Sequence, residues 1–506
     1  MSDAPEYDVI VIGYGYAGGM AAISAADAGA RVLLLEKAKF PGGISICSAG
    51  GLRIAEDAEQ ARYYLHATCA GKTRHDVLDA LAQGMTGLAA SLRRLAAPLG
   101  AVVDTRHSPA NYPLMGHKTF GFAYVEDIPG FSPETAYPNV RGARQGALLF
   151  RVVESNVQRR PSITTRFSAR AWRLLRDEGR MTGVRLFDGE EIRAPAIVIA
   201  SGGFEADPIL QEYYWPGGPA LSAATLENTG DGIRMAEEAG AALWHMWHWH
   251  GCYGYRMPYD YPLGVRVKRL PDWLPDSNGR APDGLPVMPW ILLDRDGSRF
   301  MNEYEPYVQD TGARALAEFD PSRQRYPRNP AFLVTDTAGL AMYPLGKPTW
   351  NAEMVRYDWS PDNSHEIRKG PFRRADTLER LAWITQAPEQ GLADAIDRWN
   401  ALCSGGEDTD FGRPASSMHP LSPPYYLAKV EPVVSNTQGG PAHDAGQRVL
   451  NPFAEPLPGL YAAGECGSAF GHLYMSGGNI AECFIGGEIA GIAAARHAKA
   501  ARGPIQ

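Results

Sequence analysis

Gly13-Tyr14-Gly15-Tyr16-Ala17-Gly18 is a GxGxxG loop between a β-rich run, Tyr7 to Ile12 (YDVIVI), and a helical stretch, Gly18 to Gly29. A second strand, Arg31 to Leu35, ends at Glu36 and completes one βαβ unit. The first glycine allows the tight turn, and the second lets the backbone approach a pyrophosphate. The third permits close helix-to-strand packing, with the phosphates on the helix N-terminus. Glu36 stands about 20 residues on, where a carboxylate accepts hydrogen bonds from ribose hydroxyls. The loop therefore reads as a dinucleotide site rather than a structural turn. Its carboxylate disfavours a 2′-phosphate, leaving FAD or NAD rather than NADP.

A chain of 506 residues is too long for one compact core, and two domains are the natural expectation, with three possible. Arg180 to Glu190 reads as a hairpin arm. Ala196 to Ala200 (AIVIA) reads as a buried parallel strand before Ser201-Gly202-Gly203. Asn228 to Ala241 has a helical pattern with Asp231 near its start. The texture then changes: five of the eleven tryptophans fall between Trp244 and Trp290, among Tyr253, Tyr255, Tyr259, Tyr261 and many prolines. We read this as entry into a second domain whose aromatic surfaces could line a pocket. Strand-and-glycine texture returns after Pro424, and a helix, Asn479 to Ala498, ends the chain. The first domain is thus discontinuous, with the second inserted into it.

The net charge of −8 argues against nucleic acid as a partner, because phosphate binding needs an excess of basic residues. The N-terminus is acidic, without the basic start and apolar run of a secretory signal. No apolar run approaches the ~18 residues of a membrane span. Six scattered cysteines without a Cys-x-x-Cys pair suit a reducing compartment, so the sequence predicts a cytoplasmic protein.

The choice between FAD and NAD comes from the far end of the chain. Gly459-Leu460-Tyr461-Ala462-Ala463-Gly464-Glu465 is followed by Ser476-Gly477-Gly478-Asn479-Ile480, which opens the last helix. A helix N-terminus aimed at the flavin pyrimidine would stabilise the negative charge that reduction creates there. At these residues the chain resembles the fumarate reductase/succinate dehydrogenase flavoprotein superfamily, in the soluble branch that includes the 3-ketosteroid dehydrogenases. The matching segments are Gly13 to Gly18, Glu36-Lys37, Gly42-Gly43, Ser48 to Gly51, Ser201 to Phe204, Gly230-Asp231-Gly232, Arg299 to Glu303, Thr437 to Gly440 and Gly459 to Glu465. They keep the family's order over nearly the whole chain. The resemblance implies an α/β fold: a discontinuous Rossmann-like FAD-binding domain (1–250 and 425–506) and an inserted α+β substrate-capping domain (251–424). It also implies that FAD is held by Gly13, Gly15, Ala17, Gly18, Glu36, Lys37, Gly43, Ile44, Ser45, Gly50, Gly51, Ala171, Ser201, Gly202, Asp231, Glu465, Asn479 and Ile480. Membrane-bound members attach the flavin through a histidine six residues before the Gly50-Gly51 position. That place here is Ile44, so FAD is expected to be non-covalent.

Fumarate reductases hold a dicarboxylate with arginines and histidines. The places of their proton-donating arginine, a second arginine and a histidine are here Tyr307, Met475 and Asn436. Two carboxylates without those cations would be buried unpaired, at several kcal/mol. Instead, Asn302-Glu303-Tyr304-Glu305-Pro306-Tyr307 resembles the ketosteroid dehydrogenase segment that carries a catalytic tyrosine. Tyr474-Met475-Ser476-Gly477-Gly478 resembles their second tyrosine with its glycines, and its Tyr-x-Ser pattern is closer to the Δ4-(5α)-dehydrogenases than to the Δ1 enzymes. Desaturating a ketone requires loss of an α-proton, passage of a β-hydride to flavin N5, and a donor on the ketone oxygen. The implied roles are Tyr474 with the Gly478 N–H as that donor, and Tyr307, relayed by Ser476, as proton acceptor.

Any one of twenty-three tyrosines is more often packing, and Ser476 could simply cap the last helix. The run Trp244 to His250 has histidines without a neighbouring carboxylate or cysteine, which favours packing over metal ligation, and no metal is expected. Cys466 lacks an adjacent cysteine or histidine partner. The expected reaction is desaturation of a small apolar ketone, a 3-oxosteroid at C4–C5, with electrons passing to an external acceptor. The rivals are another desaturase or ene-reductase of the superfamily, Δ1-dehydrogenation included, and a flavin electron-transfer subunit without its own substrate.

Overall fold

A computed structural model describes residues 6–258, 261–268, 287–304, 314–353 and 356–502. The chain divides into two compact units: 1–210, 227–249 and 436–506 form one, 211–226 and 250–435 the other.

The first unit is built on β1 (Val9–Ile12), α1 (Tyr16–Asp27), β2 (Val32–Leu35), β3 (Leu52–Ala55), β4 (Phe120–Asp127), α2 (Arg144–Gln158), β5 (Ile163–Arg166), β6 (Ala196–Ile199), α3 (Asp231–Glu238), β7 (Arg448–Leu450), β8 (Pro456–Ala462) and α4 (Gly478–Ala501). Six strands form one sheet in the order β7-β8-β6-β1-β2-β5. All neighbours run parallel except β7 against β8, and Ile10 pairs with both Leu33 and Ile197. The runs VIVI, VLLL and AIVI are buried on both faces, which is why they are continuously apolar rather than alternating. α1 packs against α4 through glycines. A Cβ on Gly487 would lie 2.5 Å from the Ala17 carbonyl oxygen, and one on Gly491 2.2 Å from that of Ala21.

The second unit centres on an eight-stranded sheet. Its strands alternate with period two. Trp290, Leu292, Leu333, Tyr426 and Ala428 enter one core with Tyr253 and Tyr255, while Ile291, Leu293, Phe332, Val334 and Leu427 enter another with Trp399. Part of the aromatic segment expected to line a pocket is therefore core here: Tyr253, Tyr255 and Trp290 are at most 1% exposed, while Trp247 is exposed and Tyr259 and Trp273 lie outside the described residues. Residues 211–226, which the sequence reading left with the first domain, pack in this unit. Leu221–Ser222 forms a short parallel pairing with Val433 and Val434, a non-local contact that no local pattern announces.

Candidate active site

The glycine loop sits where β1 hands over to α1. Gly13 has a left-handed backbone (φ 101°), and a Cβ there would strike the Ala200 carbonyl oxygen at 2.4 Å. Gly18 is tighter still, with a virtual Cβ 1.8 Å from the Gly13 oxygen. The first bond inside α1 runs from Gly19 N to the Gly15 carbonyl (3.0 Å). Gly15 offers no side-chain cap and the first turn carries no acid. Apart from the Tyr16 N–H, the open end of α1, including Ala17, thus keeps its first-turn N–H groups and positive pole for an acceptor from outside. Ser45 Oγ accepts from Tyr16 N at 3.1 Å. Ile44 caps the short turn Ser45–Cys47. Beside it, a Cβ on Gly43 would meet nothing within 4 Å.

Glu36 is buried at the end of β2, and its carboxylate accepts from Tyr14 N (3.0 Å) and Ala38 N (2.9 Å). Burial outweighs those bonds and raises its pKa. Lys37 donates to Thr229 Oγ1 (2.7 Å) and Asp231 (3.2 Å), while Arg170 grips Asp231 with two nitrogens at 2.8 and 2.9 Å. Burial works against the Asp231 charge, yet Arg170 and Lys37 hold its carboxyl below the usual range. Ala171 opens the following strand and is buried. Ser201 and Gly202 follow β6, with Gly202 at φ 73° against Asn228. This donor set, an uncapped helix end and a carboxylate at the second strand, fits the phosphates and ribose of FAD.

Glu465 follows β8 and forms a buried pair with Glu205, each hydrogen-bonded to the other. Asn228 Nδ2 bridges them, 2.7 Å from Glu205 and 3.4 Å from Glu465, and Thr437 N donates to Glu465 at 2.7 Å. Burial pushes the Glu465 carboxyl up to about 7 and Glu205 well above its ordinary value. Asn479, in the first turn of α4 with Ile480, donates from Nδ2 to Gln438 Oε1 (3.0 Å), Ser468 Oγ (3.2 Å) and Glu482 (3.4 Å). Burial likewise raises Glu482, to about 8.

The Tyr474–Gly478 turn leads into α4 and is clamped from behind. Arg53, on β3 and only 1% exposed, donates to the Ser476 carbonyl (2.7 Å) and the Ser108 carbonyl (2.9 Å), its guanidinium 3.7 Å from the centre of the Phe122 ring. Asn111 Oδ1 accepts from Ser476 N at 2.7 Å. Gly477 (φ 72°) packs on the Gly51 carbonyl, which brings Gly50-Gly51 to the turn. Tyr474 is half-buried, whereas Met475 is 1% exposed. One expectation needs correcting. The Gly478 N–H donates to the Met475 carbonyl at 2.9 Å, closing the turn, so in this conformation it is not free for a ketone.

Tyr307 lies outside the described residues. Just before it, Arg299 bonds both oxygens of buried Glu303 (2.9 and 2.8 Å) and Asp408 (2.7 Å), which fixes the Arg299–Glu303 motif within the second unit. His245 ring nitrogens meet the Ser468 and Lys72 carbonyls at 2.8 and 2.9 Å, and His248 and His250 are buried. Burial pushes the Cys466 thiol up to about 12, which makes it inert at neutral pH. Sequence reading missed Arg53, Asn111, Glu205, Asn228 and Glu482. Only Arg53, a cation inside an apolar strand, carries a local signal.

The chain matches the FAD binding domain family over residues 8–480. A probable fumarate reductase of Shewanella frigidimarina is 27% identical over 515 residues, covering 97% of this chain and 75% of the relative. The fold is similar to that of 3-ketosteroid Δ1-dehydrogenase from Sterolibacterium denitrificans in complex with 1,4-androstadiene-3,17-dione, with TM-score 0.77 and 23% identity over 98% of this chain and 99% of that one. It is also similar to 3-ketosteroid Δ4-(5α)-dehydrogenase from Rhodococcus jostii in complex with 4-androstene-3,17-dione, with TM-score 0.65 and 21% identity over 98% of each chain.

Proposed function

Because this chain belongs to the FAD binding domain family and is a flavin-dependent oxidoreductase of CH–CH bonds, we propose that it desaturates a 3-oxosteroid at C4–C5. The observation that carries the reading is the Tyr474–Gly478 turn: a half-buried tyrosine and a serine next to a buried Met475 where a dicarboxylate enzyme needs an arginine. The nearby buried Arg53 turns two of its nitrogens to backbone carbonyls, those of Ser476 and Ser108. Bound FAD supplies the acceptor for the hydride that leaves C5.

The chain's own residues manage the proton and the oxygen. The Tyr474 hydroxyl donates to the C3 oxygen as enolate charge develops, and it does so without Gly478 in the turn's present conformation. Tyr307 takes the C4 proton, with the Ser476 hydroxyl as relay. Arg53 and Asn111 hold the backbone on both sides of Ser476, so the turn is positioned before substrate arrives. The electrons then leave to an external acceptor.

Anaerobic mixing of the holoprotein with a saturated 3-ketosteroid tests this. The flavin should bleach and the product should be the 4-ene-3-one, while fumarate and succinate leave the flavin spectrum unchanged. A 1-ene product would move the reaction to the other side of the ketone. Turnover of dicarboxylates alone would overturn the steroid reading.

A further inference from the structure

Glu205 and Glu465 stand in loops that leave neighbouring parallel strands, β6 and β8, at their carboxyl ends, the edge where open α/β sheets take their ligands. Glu465 reaches back to the Ser201–Gly203 loop: a Cβ on Gly203 would lie 2.6 Å from its Oε1. Gly464 beside it packs on the dinucleotide loop, with a Cβ position 2.7 Å from the Ala17 Cβ. Both carboxyls are buried, at 1% and 9% exposure, and a hydrogen bond joins them. Such a bond exists only if one of the two is an acid, because a carboxylate has no hydrogen to give.

The donors around the pair decide which one. Glu465 Oε1 accepts from Thr437 N (2.7 Å) and Thr437 Oγ1 (3.2 Å), Asn228 Nδ2 reaches its Oε2 at 3.4 Å, and the Gly203 N–H adds a fourth bond. Glu205 has the shorter Asn228 bond (2.7 Å) and its own N–H, and it lies deeper. The charge therefore settles on Glu465, and burial keeps the proton on Glu205. Burial raises both carboxyls, Glu205 well above its ordinary value, while the Thr437 bonds stop Glu465 at about 7. The other titratable groups facing Glu465 are Glu482 on α4 and the thiols of Cys466 and Cys483. Burial raises these further still, Glu482 to about 8, so Glu465 is the first of the set to ionise. Asp207, two residues beyond Glu205, is paired with Arg234.

We propose that Glu205 and Glu465 form one acid–carboxylate unit of the flavin site: Glu205 keeps the shared proton and donates it to Glu465, and the Glu465 carboxylate, so positioned, accepts from a hydroxyl of FAD. Glu205 is then a positioning residue for cofactor binding. FAD binding is linked to the ionisation of Glu465, which gives up one proton where the free site still holds it.

The test dilutes holoprotein to equilibrium at pH 5.5 to 8.5 and reads the released FAD by its fluorescence, which gives the dissociation constant at each pH. FAD has no ionisation of its own inside this interval. Wild-type affinity should rise about tenfold across pH 7, the difference between a hydrogen bond to a charged and to a neutral acceptor. Glu465→Gln should lose that step. Any pH dependence from Glu36 stays in both profiles and cancels in their ratio. Glu205→Gln keeps an N–H for Glu465 and an acceptor for Asn228, so its profile should lie on that of the wild type. Glu205→Met has no donor to give and should bind FAD more weakly, with the step moved to higher pH. At pH 8.5 the wild type should also show an infrared band of a protonated carboxyl that Glu205→Gln lacks. An affinity that does not change with pH, a step that survives Glu465→Gln, or a missing infrared band overturns the unit. So does a Glu205→Gln profile displaced like that of Glu205→Met, because the proton is then not on Glu205. Melting temperatures of the holoproteins report whether each variant is folded. If Glu205→Met is not, the Glu205→Gln profile and the infrared band decide.

Discussion

A tyrosine beside two glycines is either a donor or packing, and its hydroxyl separates the two. Tyr307→Phe and Tyr474→Phe each remove one oxygen and keep the ring, so the core should survive. If the hydroxyls carry proton transfer and enolate stabilisation, each loss should lower turnover by roughly two to four orders of magnitude. Flavin content and melting temperature should barely move. Because both act on one transition state, the double variant should fall well short of the product of the single effects. Ser476→Ala should be milder, since water can replace a relaying hydroxyl. Near-full activity of both phenylalanine variants on every ketosteroid tried would make the tyrosines structural. Ile44 gives a second prediction at this scale. An aliphatic side chain cannot form the flavin bond, so acid precipitation should release the yellow chromophore into the supernatant. Colour retained by the denatured protein would contradict it. Both candidate tyrosines rest on their motifs alone, and the commitment of the Gly478 N–H was not legible, because a turn bond depends on φ and ψ rather than on residue type.

α1 and α4 meet along glycines, and this contact sets where the dinucleotide loop begins. Gly491→Val would drive a side chain into the Ala21 carbonyl, 2.2 Å from the Cβ position. Overpacking of this kind costs about 1–3 kcal/mol, and backbone on the far side cannot swing away as a side chain would. The expected result is a lower melting temperature and a lower flavin-to-protein ratio, because α1 carries the loop with it. Gly405→Ala, which meets nothing within 4 Å, is the control and should leave both unchanged or slightly improved. Normal flavin occupancy in Gly491→Val would show that the loop is positioned without this contact. The central strands were legible because burial on both faces writes a continuous apolar run into the sequence. The last helix was legible too, within a few residues of Gly478–Ala501. The core role of Tyr253, Tyr255 and Trp290 was not legible, because composition alone does not separate a pocket lining from a core. The alternate placing of Trp290 and Ile291 on opposite faces of one sheet decides it.

Across the first unit, Glu205, Glu465 and Glu482 are buried carboxyls held above their ordinary range, a feature invisible in a sequence where each is simply a glutamate. Their consequence belongs to the stability of the whole protein. A carboxyl with a raised folded-state pKa binds its proton more tightly when folded. Its stabilisation is fully present below the unfolded value near 4.5 and is lost as pH rises through the folded value. For Glu482 that window runs from about 4.5 to about 8. The buried histidines His245 and His443 act in the opposite sense, because burial lowers them, so the wild-type profile alone does not isolate the carboxyls. A comparison with Glu482→Gln does, since groups that do not interact with Glu482, the histidines among them, cancel, and its charge bears on Glu465, Cys69 and Cys483. Glutamine keeps the shape and one acceptor for the Ala469 N–H, and it can donate to Ser468 Oγ. At pH 4, below the window, the two apoproteins should melt together. As pH rises to 9 the wild type should lose on the order of a few kcal/mol relative to the variant, which should then melt higher. Calorimetry of both apoproteins over this range checks the sign. A gap that stays constant with pH, or a wild type that gains on the variant, would mean that Glu482 is ionised when folded and that its three donors outweigh burial.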